Sequence, residues 1–429
     1  MHADFWYALL PDHLLLALLL VLMVLEMLRV DERAAPLLMM IMLAAACAVL
    51  LRQFATGYTA NVVADEIRVD DFAVLAKLVI IGCGLLWGVL VRRSLTFKSA
   101  FLSCSSLLGA SVIADSAGFV SLFIGVEMLS LPAFALMVHR AGNSPASEGA
   151  FKYLLLSSVA TALLLFGIAL TYGVTGTLMI EGFAASVAGG SPQAATAGIM
   201  IATGFFLKAA AFPFHGWAPD AYASARVPVT GFLASIVKGT VVLALVRILS
   251  TVPLDPVFAS AIGLLGILSI YFGNITAIRQ QGFRRLLAYS SIAHAGYMLF
   301  AFVDRTGARA EDLLWYVAIY AATVIIAAAA FTVLCPGESD DTRLLDGTFQ
   351  AQPAASLTFG LAMLSLAGIP PLPGFFAKLF IFKSVIASGH LVFAVIAFIG
   401  SFIGVTYYLT LFFRLFATEA LVDDSPPSG

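Results

Sequence analysis

About thirteen apolar runs of membrane-spanning length follow one another through the chain, and a segment of this kind has few ways to satisfy its backbone in hydrocarbon. An α-helix needs roughly 20 apolar residues to cross a core about 30 Å thick, and only helices and closed barrels can do so without stranding peptide groups. The sequence therefore predicts an all-α polytopic membrane protein. With 61% apolar and 11% charged residues and a mean hydropathy of +1.00, the 429 residues agree; soluble domains carry about 25% charged residues.

Taken in order, the spans fall at about 8–29, 35–52, 71–91, 97–114, 117–138, 151–174, 195–216, 228–250, 256–277, 283–303, 312–335, 354–384 and 388–416. A charged, amphipathic connection joins the second to the third, and Ala114-Asp115-Ser116 parts the fourth from the fifth. The first residues, MHADFWYALLPDH, lack the positive n-region of a cleavable signal, so the first span is expected to be retained. The terminal DDSPPSG reads as a disordered polar tail.

Two spans are broken by proline, the seventh at Phe212-Pro213-Phe214 and the twelfth across Gly368-Ile369-Pro370-Pro371-Leu372-Pro373-Gly374. Grouping spans four to eight and nine to thirteen puts each break in the fourth helix of its group. Five is odd, so the second group enters the membrane from the opposite side. The expectation is therefore two inverted five-helix repeats (97–250 and 251–417) after an N-terminal three-helix segment (1–96), with a polar tail at 418–429. Discontinuous helices in inverted repeats build sites near the midplane.

The ionisable residues inside spans carry the functional reading. Such a group costs on the order of 2.5–3.5 kcal/mol at the centre of a helix even on the lenient insertion scale. Glu127, Lys208, Lys238 and His294 fall deep in their spans, Lys378 follows the second break, and the five are the candidate proton relay. Lys208 precedes the first break by five residues, and Lys378 follows the second by five. A carboxylate opposite a lysine can hold it charged, and moving the pair apart lets desolvation favour the neutral amine. His215, Asp220 and Lys77 are secondary candidates, the first two at a possible water-filled mouth and Lys77 with a stem long enough to reach the interface. Glu26, Lys383, His390 and Arg247 lie near span ends and read as solvated or structural.

Other chemistries find no support. Cys47, Cys83, Cys104 and Cys335 stand singly, without the sets that hold iron–sulfur clusters or zinc, and there is neither a Walker loop nor a dinucleotide fingerprint. No cofactor or metal is expected in this chain. The net charge of −2 argues against a nucleic-acid partner; lipids are expected around the spans. Basic residues cluster in alternate connections, at Arg29 and Arg33, at Arg92, Arg93 and Lys98, at Arg140 and Lys152, at Arg226, and at Arg279, Arg284 and Arg285. Arg52, Arg68, Arg305 and Arg309 are exceptions. The bias predicts an N-terminus outside and, with thirteen spans, a C-terminus inside.

The segments GVEMLSLPAFALM, FLKAAAFPFHGWAPDAYASARVPVTGFLASIVK, RRLLAYSSIAHAGYMLF and SLAGIPPLPGFFAKLFIF resemble the hallmark stretches of the antiporter-like, proton-translocating subunits of respiratory complex I. The likeness runs from IRVDDFAVL, near residue 67, to the thirteenth span. It implies that Glu127, Lys208, Lys238, His294 and Lys378 are the titratable residues of that family's hydrophilic axis. It further implies a bacterial inner-membrane location and partnership with neighbouring antiporter-like and small membrane subunits. NADH, FMN, iron–sulfur clusters and quinone would then belong to other subunits of the complex. Two departures stand out. Such subunits usually have fourteen helices where thirteen are read here, and the eleventh span has alanines where glycine and serine are common. The lack of a long C-terminal amphipathic helix argues against the branch that carries one. Alternatives from the residues alone are the homologous subunit of a membrane-bound hydrogenase or multisubunit cation/proton antiporter, a free secondary transporter with a solute cavity, and a structural spacer that does not pump.

Overall fold

The computed structural model describes residues 2–139, 144–252, 255–303 and 309–417. Arg140, Arg305 and the DDSPPSG tail lie outside the described residues. The protein is an all-α polytopic membrane fold in which, among the described residues, eleven helices are long and apolar enough to cross a membrane. These are α1 (Leu10–Met27), α2 (Ala34–Ala55), α3 (Asp71–Val91), α4 (Phe97–Asp115), α5 (Phe119–Val138), α6 (Ser144–Thr175), α9 (Val227–Leu249), α10 (Pro256–Ala277), α11 (Phe283–Val303), α12 (Arg309–Leu334) and α15 (Leu391–Arg414). The two proline-containing segments are interrupted, as α7 (Pro192–Lys208) with the short α8 (Ala218–Ser224), and as α13 (Pro353–Ala367) with α14 (Pro373–Ala387).

One feature of the connection between α2 and α3 was not expected. It folds into an antiparallel hairpin, β1 (Ala60–Val62) and β2 (Ile67–Val69), turned by Val63, Ala64 and Asp65, all with positive φ. Three-residue strands are too short to show alternation, and no glycine marks the turn. The hairpin lies over the end of α4, where Ile67 bridges to Ser116, and Asp70 then caps α3 by accepting from Ala73 N at 2.9 Å.

Burial sorts the helices into a centre and a rim. The spanning stretches of α9 and α11 are 94% buried, against 28% for α1 and α6. Serines, Lys238 and His294 sit on the central pair, while exposed Leu, Ile and Phe cover the rim. Without a hydrophobic drive between helices in lipid, close approach depends on small residues. A Cβ on Gly109 of α4 would fall 2.4 Å from Leu129 N of α5, and one on Gly266 of α10 would fall 2.8 Å from Gly296 O of α11. The α4–α5 and α10–α11 pairs thus each pack with a glycine against the partner helix's backbone.

Candidate functional site

Proline decides where the first lysine sits. Pro213 offers no N–H and its ring would press on the carbonyl of residue 209, so α7 stops at Lys208. Ala210 turns the chain with φ +54°. The polar groups freed by the break find partners: Trp217 Nε1 donates to Leu207 O at 2.8 Å, and Phe212 N to Ser269 Oγ at 2.9 Å. Lys208 Nζ lies 3.5 Å from Glu127 Oε1 of α5 and donates to Ser157 Oγ at 3.0 Å and Ser130 Oγ at 3.3 Å. Thr161 of α6 holds the same carboxylate oxygen, Oγ1 to Oε1 at 2.6 Å.

Lys238 follows a π turn, Leu233–Val237, inside α9. Such a turn inserts one residue and rotates what comes after it by about 100°, a device often found at functional sites. The lysine is 1% exposed; its Nζ donates to Ser291 Oγ at 2.7 Å and lies 5.8 Å from the Tyr222 ring centroid. No carboxylate pairs with it among the described residues. Ser291 and His294 share a face of α11, three residues apart. His294 Nδ1 is 2.8 Å from Tyr316 OH, its Nε2 3.2 Å from Tyr408 OH, and its ring stacks on Tyr320 at 4.6 Å. Lys238 and Lys378 are the cations close enough to act on it electrostatically.

The second break places Lys378. α13 ends in a left-handed Gly368, φ +85°, with Ile369 N reaching back to Leu364 O at 3.1 Å. Lys378 Nζ donates to Ala367 O at 3.0 Å, taking up a carbonyl that the helix end leaves over. It also donates to Ser401 Oγ at 3.2 Å and stands 4.9 Å over the face of Tyr297. Gly368 leaves room for this approach: a Cβ there would sit 3.2 Å from the lysine stem.

Two small cavities fill gaps between these groups. One is lined by Lys208, Ser130, Ser157, Tyr153, Trp217 and Val237, the last being the neighbour of Lys238; its volume is about 10 Å³. The other, also about 10 Å³, is lined by His294, Tyr316, Tyr320, Thr323, Ser365 and Ala377, the last being the neighbour of Lys378. Each is near the size that holds a single water.

The secondary candidates lie apart. Asp220 pairs with Lys152 at 2.8 Å and Arg285 at 3.1 Å, tying α8 to α6 and α11. His215 packs among Phe212 and Phe272, with ring centroids 5.4 and 4.2 Å away. Lys77 does not reach the interface: it is 1% exposed and paired with Asp12 at 2.6 Å and with Asp115. Arg247 is likewise buried, bonded to Asp70 at 2.6 Å and to Ser116 O at 2.8 Å. Lys383 is exposed, and Glu26 lies 3.6 Å from Lys98. Among the described residues no group of three His, Cys, Asp or Glu could hold a metal ion, and all four cysteines are free.

Buried lysines at two helix breaks with hydroxyls between them are the features of an ion- or proton-handling membrane bundle. Residues 116–404 match the family NADH:quinone oxidoreductase/Mrp antiporter, TM, and the chain belongs to that family. It is 57% identical over 430 aligned positions, spanning 100% of this chain and 93% of the relative, to NADH-quinone oxidoreductase subunit N of Pelobacter propionicus. Among solved structures it superposes on a chain of respiratory complex I from Thermus thermophilus with a TM-score of 0.81 and 31% identity, covering 95% of this chain and 90% of that one. A chain of the Mrp complex from Dietzia shares the fold, with a TM-score of 0.85 at 23% identity over 96% of this chain and 81% of that one.

Proposed function

We propose that this chain is a proton-translocating membrane subunit of NADH-quinone oxidoreductase, moving protons along Glu127, Lys208, Lys238, His294 and Lys378 while quinone is reduced elsewhere in the complex. The observation that carries the reading is the Glu127–Lys208 pair at the break of α7, 3.5 Å apart with the lysine buried. With the carboxylate close, Lys208 keeps its proton. Drawing the pair apart leaves a desolvated ammonium, which releases its proton toward the cavity beside Val237 and so toward Lys238. Moving one charge against 100 mV costs about 2.3 kcal/mol, less than the about 3–5 kcal/mol at stake when a buried pair loses a partner. Ser291, His294 and its tyrosines carry the path on, and Lys378 ends it.

The architecture supporting this is thirteen spans, eleven continuous and two broken, with α4–α9 and α10–α15 as inverted five-span repeats following α1–α3. The matching glycine contacts and matching breaks favour the repeat. The N-terminus is assigned outside and the C-terminus inside. Neighbouring antiporter-like and small membrane subunits are the expected partners, and flavin, iron–sulfur clusters and quinone reside in other subunits.

Replacing Lys208 with alanine tests the scheme. In membrane vesicles, NADH-driven proton pumping should be lost while electron transfer from NADH to an artificial acceptor persists; full pumping in that variant would sink the scheme. Mass spectrometry of what co-purifies in mild detergent identifies the host. Flavin and iron–sulfur dehydrogenase subunits are expected, and hydrogenase or antiporter-only partners would move the same lysine chemistry to another machine.

A further inference from the structure

Away from the lysine line, three ionisable groups meet under the β-hairpin. Asp12 is the third residue of α1, Lys77 the seventh of α3 and Asp115 the last of α4. Lys77 Nζ donates to Asp12 Oδ2 at 2.6 Å and to Asp115 Oδ2, and both Lys77 and Asp115 have side chains 1% exposed. The other two carboxylate oxygens, Asp12 Oδ1 and Asp115 Oδ1, are buried without a hydrogen-bond partner among the described residues. One turn before Asp115, the fully buried Ser111 hydroxyl is in the same condition.

The surrounding charges add no net charge to this cluster, although Arg247 favours the ionised form of Asp115. Besides Lys77 and Asp12, Arg247 is the charged group near enough to act on Asp115. Its guanidinium is committed to Asp70 at 2.6 Å and to the carbonyls of Ser116 and Arg68, at 2.8 and 3.2 Å. From the hairpin, Glu66 accepts from Ser121 N at 3.2 Å and Arg68 pairs with Glu181 at 2.7 Å. On α1, the ring of His13 lies against Trp6 at 4.8 Å with Nδ1 buried and unpartnered. Two ionised carboxylates and one ammonium leave a net charge of −1, with the Arg247–Asp70 pair adding nothing. A buried charge without a counterion costs several kcal/mol, and an unbonded buried carboxylate oxygen adds its own penalty. One proton on either acid removes the charge and supplies a donor. A metal cation fits less well, because the Lys77 ammonium already bridges the two carboxylates.

We propose that Asp12, Lys77 and Asp115 form a second proton-binding site, separate from the lysine line, in which one proton is shared between the two carboxyls at the membrane face covered by the β-hairpin. Lys77 lies roughly 9 Å into its helix, at 1.5 Å per residue, so the site is a shallow port rather than a midplane station.

Infrared difference spectra of the whole complex, taken between acidic and alkaline buffer with carboxyl-13C-labelled aspartate, test the assignment. The expected result is a protonated-carboxyl C=O band that shifts with the label and in D2O. It should be lost in Asp115→Asn and moved or lost in Asp12→Asn, but retained in Lys208→Ala. Should Asp115→Asn not accumulate, Asp115→Glu keeps the acid but takes its signal out of the aspartate label. A labelled band unchanged in these variants, or no such band in the unsubstituted complex, shows an ionised salt bridge and overturns the proposal. A band displaced by sodium in place of potassium marks a cation site and overturns it too. The readout does not depend on pumping, so it stands or falls separately from the lysine-line reading.

Discussion

The two broken helices each present a buried lysine, yet they hold it by different means. Lys208 sits before its break and faces a carboxylate and two serine hydroxyls. Lys378 sits after its break and rests on a backbone carbonyl, one hydroxyl and the face of a tyrosine. An ion pair is sensitive to small separations and to charge elsewhere, whereas carbonyl and ring dipoles are fixed by the backbone that carries them. Under the proposed relay, the first break is the one that responds and the second the one that receives.

Neutralising the acid should erase this contrast. Glu127→Gln leaves Lys208 with only neutral partners, as Lys378 already has, and is expected to reduce the proton-to-electron ratio in vesicles to near that of Lys208→Ala. A ratio like that of the unsubstituted protein would mean that the pair is structural. The breaks also differ in tolerance. A Cβ on Gly374 would fall 1.9 Å from Ser365 O, while one on Gly216, in the first break, meets nothing within 4 Å. Gly374→Ala should therefore destabilise by about 1–3 kcal/mol, seen as a lowered melting temperature of the detergent-purified complex, with Gly216→Ala close to neutral. Ser401→Ala removes one of two hydrogen-bond acceptors of Lys378 and should cost about 1.5–3 kcal/mol. Ser157→Ala, which leaves Lys208 both Glu127 and Ser130, should cost less; equal losses on the same melts would remove the distinction.

The smallest effect belongs to the connection between α12 and α13. Burial raises the Asp340 carboxyl, but hydrogen bonds from Arg284, at 2.9 Å from both backbone and guanidinium, override it and hold the acid below its usual range. A depressed carboxylate stabilises the fold above its unfolded pKa, about 3.9, and that contribution is lost as pH falls through the folded value. Asp340→Asn should lower stability at neutral pH by about 0.2–1 kcal/mol and flatten the acid limb of a melting-temperature profile.

How much of this could be read from residue order depends on which side chains are involved. Lys208, Lys238 and Lys378 stand out because a charge inside an apolar run has no cheap explanation, and Pro213 and Pro370-Pro371 announce their breaks by backbone chemistry alone. The hydroxyls that receive those lysines give no such contrast. Ser130, Ser157, Ser291 and Ser401 look like any serine that bonds its own helix, and only packing shows that they face an ammonium. Tyr316, Tyr320 and Tyr408 likewise pass for filler until α12 and α15 bring them around His294. Asp12, Asp115 and Arg247 fall at span ends, where solvation is the ordinary expectation; the hairpin and neighbouring helices bury them, and nothing local in the sequence records that cover.

The hydroxyl-rich stretch between Lys238 and Lys378 has one further consequence. A serine or tyrosine O–H can donate or accept with a turn of one bond, so under the proposed relay that part of the path conducts equally well both ways, like a plain wire. Glu127 is the only acid among its five titratable stations and stands at one end. Under the proposed relay the chain acts as a conductor with its rectifier at the first contact, and reversing the charge felt at Glu127 is expected to reverse the current without moving Lys378 or its partners.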